Sequence, residues 1–270
     1  MIDVLLATYR PNPDWLTAQI DSIRAQADVE THLIVREDAA GDGAAANFSA
    51  LLAQSSAPYV ALSDQDDIWL PSKLSRLQAK MQELEAAYGK DVPLLVFCDS
   101  KLTDDELRPL PRTFLARQQV DVAAGLAFPR LLMQNFIAGH AMLFNAALRA
   151  KAGAVPPGAV LHDYWLALVA SAFGHIGFVG EPLVWYRQHD ANALGAVRPS
   201  RSADEFRGRL AANVAQAAAF VARFAAEAPE TARVLADFPR MGGFARRAAI
   251  RRYGLWKHGF KRNLALYLFA

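Results

Sequence analysis

The chain has 270 residues, 53% of them hydrophobic, with a formal net charge of +2. This supports a packed core and excludes disorder as the main state, while one cysteine, Cys98, excludes a disulfide framework and favours a reducing compartment or plain core filling. The charge is uneven: residues 238–270 hold eight Lys or Arg and no Asp or Glu, leaving 21 basic against 27 acidic residues before them, a net of −6.

In chain order, Ile2–Ala7 reads as a first strand, and its lack of a basic lead or long apolar region argues against a secretory signal. Asn12-Pro13 supplies an N-cap and a first-turn proline to a helix carrying Leu16, Ile20 and Ile23. Leu33–Val35 is a second strand, ending at Glu37-Asp38, and Phe48–Gln54 a short helix. Tyr59–Leu62 is a third strand, followed by Ser63-Asp64-Gln65-Asp66-Asp67-Ile68-Trp69. Pro71 opens a helix with Leu74, Leu77, Met81 and Leu84 in one stripe, and Leu94–Phe97 is a strand closed by Asp99. Gly139–Phe144 reads as a strand, His162-Asp163 as a helix start, and Gly177–His189 as strand-like. Alternating strands and helices predict an α/β domain with a mostly parallel sheet over residues 1–200 and a helical extension over 201–270. Residues 120–144 come nearest to a membrane span, but Asp121, Pro129, Arg130, Gln134 and Asn135 interrupt them, so none is expected.

Acidic residues recur where strands end: Glu37-Asp38, Asp64-Asp66-Asp67 and Asp99. Ligands of open α/β sheets bind at the carboxyl ends of strands, so these groups are expected to share a site. Carboxylates this close repel unless a cation or water screens them, and Mg²⁺ or Mn²⁺ needs few protein carboxylates when phosphate oxygens complete its shell. On spacing alone the run also fits a solvated loop in which Asp67 opens the next helix.

"ATYRP" after the first strand, "IVRED" after the second, "YVALSDQDDIWLPSKL" after the third and later "HDYWLAL" resemble inverting family 2 glycosyltransferases of the GT-A fold. "DQDDIW" with "N-x-x-x-G", "HDYW" and "YRQH" is most similar to bacterial rhamnosyltransferases that build polysaccharides such as O-antigen. The resemblance covers roughly residues 1–195. It implies a donor site at Tyr9, Asp38, Asp64 and Arg187, metal ligation of Mg²⁺ or Mn²⁺ by Asp66 and His189, and Asp163 as catalytic base. It further implies acceptor contacts from Asn135, Gly139, His140 and Trp165. The chain departs from the family in Glu37-Asp38-Ala39-Ala40 for Asp-Asp-Gly-Ser, and in His162-Asp163 for Glu-Asp. Each role has a structural alternative: strand-end cap for Asp38, helix cap for Asp163, core packing for Trp165, a surface arginine at Arg187 and a structural histidine at His189.

The implied donor is a nucleoside diphosphate sugar, dTDP-L-rhamnose first and a UDP- or GDP-hexose second, and the acceptor a saccharide or lipid-linked saccharide. A non-catalytic module binding sugar nucleotides or glycans is the rival of another class. On a helical wheel Ala249, Tyr253, Trp256, Phe260, Leu264 and Tyr267 share a face and Arg247, Arg251, Lys257, Lys261 and Arg262 occupy the others. That is the pattern of a helix on an anionic membrane surface, with docking onto the catalytic domain as the alternative. The expectation is a cytoplasmic protein, peripheral at the inner membrane face. The acidic body argues against nucleic acid.

Overall fold

A computed structural model describes residues 1–189 and 202–269. Eight strands form one sheet: β1 (Ile2–Thr8), β2 (Thr31–Glu37), β3 (Tyr59–Ser63), β4 (Ile68–Trp69), β5 (Leu94–Thr103), β6 (Pro109–Thr113), β7 (Met142–Asn145) and β8 (His175–Arg187). Their order is β2-β1-β3-β7-β5-β8-β4, with β6 on β5. β1 pairs in parallel with β2 and β3, and β5 with β8. β7 runs antiparallel between β3 and β5, so the sheet is mixed rather than mostly parallel. β1, β3 and β5 are buried almost throughout, which is why they read as continuous apolar runs.

Local chemistry sets the helix starts. Asn12 Oδ1 accepts the Asp14 and Trp15 N–H groups, and Pro13 occupies the first turn of the Pro13–Arg24 helix, where no N–H is needed. The Lys73–Tyr88 helix buries Leu74, Leu77 and Met81, as their spacing predicts.

Two expectations change. β5 runs on to Thr103, and Asp99 sits inside it at a register shift, where its Oδ1 accepts the Ser100 and Leu115 N–H groups. It is a bulge residue and not a strand-end ligand. Residues 139–141 form a 3-10 turn before β7.

The described residues pack as two units. The first comprises 1–117, 137–155 and 161–189; the second comprises 118–136, 156–160 and the chain from 202 onward. The expected boundary at 200/201 lies outside the described residues. In the second unit the Ala203–Phe224 helix begins at Ser202, whose Oγ accepts the Glu205 N–H. Phe220 of this helix packs on Phe128, and Asn213 Nδ2 donates to the Met133 carbonyl at 2.8 Å.

The tail is not one amphipathic helix. Gly254 (φ 66°) caps the Gly243–Tyr253 helix in the left-handed region, where glycine is favoured, and a second helix starts at Phe260. The break rotates the expected wheel: Ile250, Leu255 and Leu266 are buried while Phe260 is 81% exposed. Lys257, expected outside, is buried, its Nζ donating to the Met133 carbonyl at 2.8 Å. His258 N–H donates to Gln134 and Arg262 to the Gln118 carbonyl, so the tail packs inside the second unit. No described helix is long and apolar enough to cross a membrane.

Candidate active site

The parallel pairings Thr8↔Glu37 and Leu6↔Ser63 bring the carboxyl ends of β1, β2 and β3 side by side. The loops that follow are laced together. Asp38 N–H donates to the Thr8 carbonyl at 2.8 Å, and the Gln65 side chain clamps Tyr9 from both sides, accepting its N–H at 2.7 Å and donating to its carbonyl at 3.2 Å.

Tyr9 and Asp38 line a cavity of about 260 Å³, together with Arg10, Glu37 and residues 39–41. The Tyr9 ring is half exposed, with the Arg10 guanidinium 5.2 Å from its centroid. Asp38 is buried and closes its own loop, Oδ1 accepting the Gly41 and Asp42 N–H groups and Oδ2 that of Gly43. Burial opposes its ionisation, but these donors and Arg36 outweigh burial and hold the carboxyl below its usual range. The glycines at 41 and 43 have φ of 77° and 92°, which allows the tight return.

The acidic run splits into an inner and an outer set. Inside, His140 Nδ1 lies 3.4 Å from Oδ2 of both Asp64 and Asp67, and its Nε2 is 3.0 Å from Ser100 Oγ. Asp67 is fully buried; burial, then the Asp66 and Asp64 charges, push its carboxyl up to about 8 against the opposing pull of His140. Burial disfavours the His140 imidazolium, but the Asp67 and Asp64 charges prevail and raise its pKa. Lys73, also fully buried, donates to the His140 carbonyl at 2.6 Å and lies 3.0 Å from the Trp69 ring centroid.

Outside, Asp66 Oδ2 lies 2.6 Å from His189 Nε2, with the two side chains 13% and 15% exposed. Arg187 supports this pair: its Nε donates to the Asp66 carbonyl at 3.0 Å, its N–H to Asp67 Oδ1 at 3.3 Å, and its guanidinium also bonds the Asp105 carbonyl. The same guanidinium lies 4.6 Å from the Trp15 ring centroid, and Trp15 packs against His189.

Two cation sites are conceivable. Asp64, Asp67 and His140 place one ligating atom each within 4.8 Å of one another, but Asp67 and His140 are almost fully enclosed. Asp66 and His189 retain access. A hard divalent ion that must also take phosphate oxygens and water fits this outer carboxylate–imidazole set, with Asp64, 44% exposed, beside it.

Asp163 lies in the first turn of the His162–Phe173 helix, whose N-cap is Leu161 without a side-chain cap bond. Its Oδ2 accepts the Gly139 N–H at 3.1 Å and its Oδ1 the Tyr164 N–H at 2.5 Å. Burial raises its pKa and the charge of Asp64 adds to that, against the lowering by His162 and the two N–H donors. A Cβ on Gly139 would lie 3.2 Å from His162 Nε2, tighter than an ordinary contact, and 3.4 Å from Asp163 Cβ, so a larger residue here would press on the imidazole beside the Asp163 carboxyl. His162 stacks on Phe48, with ring centroids 3.9 Å apart.

Three expected contacts are corrected. His140 does not line an acceptor pocket, because it is enclosed between Asp64, Asp67 and Ser100. Trp165 is a core residue, 0% exposed, its Nε1 donating to the Ala152 carbonyl. Arg187 is 3% exposed and its guanidinium bonds the backbone carbonyls of Asp66 and Asp105, an arrangement that differs from the expected open phosphate contact. Asn135 belongs to the second unit. Sequence reasoning misses Gln65, Lys73, Ser100 and the inner role of Asp67. Gln65 and Asp67 stand in the acidic run itself, whereas nothing in the local pattern marks Lys73 or Ser100.

Residues 13–121 match the glycosyl transferase family 2 model. No curated protein matches the sequence. Among solved structures the chain is similar to S. aureus TarS 1-349 in complex with UDP, at 12% identity and TM-score 0.52, covering 80% of this chain and 65% of that one. TarS 1-349 with UDP-GlcNAc gives 12% identity and TM-score 0.54, with 98% and 89% covered. The mannosyltransferase PcManGT from Pyrobaculum calidifontis, in complex with GDP-Man and Mn2+, gives 14% and 0.50, with 99% and 87% covered. These identities speak to the fold alone, and the fold agrees with the family match. The chain has the GT-A fold, and its residues 13–121 match the glycosyl transferase family 2 model.

Proposed function

We propose that this chain is a metal-dependent inverting glycosyltransferase that moves L-rhamnose from dTDP-L-rhamnose to a saccharide or lipid-linked saccharide acceptor in bacterial polysaccharide synthesis. The observation that carries the proposal is the Asp66–His189 pair at the carboxyl edge of the sheet, beside Asp64 and the strand-end loops that form the Tyr9–Asp38 cavity. The rhamnosyl assignment rests on the order and spelling of "DQDDIW", "HDYW" and "YRQH".

In this reading the donor base lies in the Tyr9–Asp38 cavity, where the Tyr9 ring offers a stacking face and the Asp38 carboxylate an acceptor for a ring N–H. Asp64 reaches the ribose. Asp66 and His189 hold Mg²⁺ or Mn²⁺, which when bound offsets the charge of the departing nucleoside diphosphate. Asp163 is the base. Its Oδ2 takes the proton of the acceptor hydroxyl while the hydroxyl oxygen bonds to the anomeric carbon; the bond from that carbon to the diphosphate oxygen breaks, and its electron pair leaves with the nucleotide. The raised pKa of Asp163 makes it a stronger base than an exposed carboxylate, and the Gly139 N–H fixes its direction. The enzyme would work at the inner membrane face, where a lipid-linked acceptor lies.

A UDP- or GDP-hexose donor is the second reading, favoured by the UDP-GlcNAc and GDP-Man bound in the similar structures. Thermal shift with dTDP-rhamnose, UDP-glucose, UDP-GlcNAc and GDP-mannose, with and without Mn²⁺, separates the two, since a ligand of the folded state raises its apparent stability. The rhamnosyl reading expects the largest metal-dependent shift with dTDP-rhamnose. A larger shift with a hexose donor would replace it, and no shift with any donor would favour a module that binds glycans.

A further inference from the structure

We propose that the Phe260–Phe269 helix is an interfacial anchor that seats the second unit on an anionic lipid surface through Phe260, Leu264 and Leu268. These three residues are 81%, 48% and 58% exposed, and their spacing of four places them in one stripe along the helix. Leu266, on the opposite side, is fully buried, so the helix already has its packed face and the stripe is a second apolar face turned to solvent. Phe244, 87% exposed, stands near the start of the preceding helix, which meets this one where Arg247 Nε donates to the Tyr267 carbonyl at 2.8 Å.

Charge decides the partner. Residues 238–270 carry eight basic and no acidic side chains. Lys257 is buried, Arg246, Arg247 and Arg262 bond backbone carbonyls, and Arg240 pairs with Asp237. Arg251, Arg252 and Lys261 remain exposed on the two helices. An aromatic-bearing apolar stripe in a segment whose exposed charges are all basic suits a surface offering both acyl chains and negative headgroups. A second copy seated stripe to stripe would bring like charges together. The ten described residues of the helix carry the stripe along their length, which suits a helix lying along the interface. The stripe differs from the one expected from a continuous wheel: Trp256 falls in the linker between the helices, and Leu268 takes its place.

This anchor would confine the proposed transferase to the surface bearing a lipid-linked acceptor, but its test needs neither donor nor acceptor. The full chain is sedimented with vesicles of phosphatidylcholine alone and of equimolar phosphatidylcholine and phosphatidylglycerol, at low and high salt. Binding should require phosphatidylglycerol, weaken with salt and leave a salt-resistant part. Phe260→Ser/Leu264→Ser/Leu268→Ser should remove that part, and Arg251→Glu/Arg252→Glu/Lys261→Glu should weaken low-salt binding on the order of a hundredfold. The substituted side chains are exposed, so urea unfolding should be unchanged. The proposal is overturned if the full chain stays in the supernatant at low salt, if it binds neutral vesicles equally well, or if the serine variant alters only the oligomeric state seen by light scattering. Loss of vesicle binding with donor thermal shifts intact would remove the anchor and leave the transferase reading standing.

Discussion

His189 Nε2 lies 2.6 Å from Asp66 Oδ2 although 123 residues separate them in sequence. Arg187, two residues before His189, bonds the Asp66 carbonyl, and Trp15 packs against both the Arg187 guanidinium and the His189 ring. The end of β8 therefore fixes the imidazole against the loop that follows β3.

If this pair holds the metal, nucleoside diphosphate binding should depend on Mn²⁺ in the wild type. Asp66→Ala and His189→Ala should each weaken metal-dependent binding by about 1–3 kcal/mol, the scale of losing one partner of a charged hydrogen-bonded set. Calorimetry with dTDP, with and without Mn²⁺, reads this directly. Metal dependence that survives in both variants would move the ion to the inner Asp64–Asp67–His140 set.

Gly139→Ala tests the positioning of the base. The added methyl lies 3.2 Å from His162 Nε2 and 3.4 Å from Asp163 Cβ, so the imidazole must give by a few tenths of an ångström against the neighbouring carboxyl. Turnover should fall by about tenfold or more, since misplacement of a reacting group by a fraction of an ångström to one ångström is costly. Nucleotide affinity should stay within about twofold of wild type. A parallel loss of affinity would place Gly139 in the donor site instead.

Lys257 gives the second unit a pH-dependent stability. Burial, reinforced by Arg209 and Arg262, pushes its ammonium down to about 8 from the ordinary 10.5. Between those values the unfolded chain holds a proton that the folded chain has lost, so stability rises with pH across this window; below it the burial cost is present in full. Lys257→Met should flatten the slope and stabilise the protein near neutral pH by on the order of 1 kcal/mol. Asn213 continues to satisfy the Met133 carbonyl that Lys257 leaves. Urea unfolding from neutral pH to above 10 is the measurement, and an unchanged slope would contradict it.

Elements with strong local signals were legible in the sequence. Asn12-Pro13 starts its helix as read, the Leu74-Leu77-Met81 stripe is buried, and the strands that are apolar throughout are the central ones. Features set by tertiary packing were not. His140 stands in Gly139–Phe144, which reads as a strand, and only the turn formed by residues 139–141 encloses it between two carboxylates. Trp165 has the same composition signal whether it lines a pocket or fills a core. Lys73 stands beside Leu74 as an ordinary polar helix residue, and its burial follows from the cationic site made by the Trp69 ring and the His140 carbonyl. The helical wheel of the tail failed at Gly254, where one left-handed residue ends the helix and resets the phase of everything after it.

The most direct measurement is nucleotide release from donor by wild type and Asp163→Asn, with water as acceptor in place of the natural hydroxyl and with donor affinity measured in parallel. The asparagine keeps the shape of the side chain and removes the carboxylate that would take the proton. Release should fall by about 10² to 10⁴ while affinity stays within about twofold, the scale expected for removal of a general base. The wild-type acid limb should lie above the ordinary carboxylate value of 3.8, since burial raises the Asp163 pKa. Release by Asp163→Asn at the wild-type rate, with affinity intact, would contradict the account.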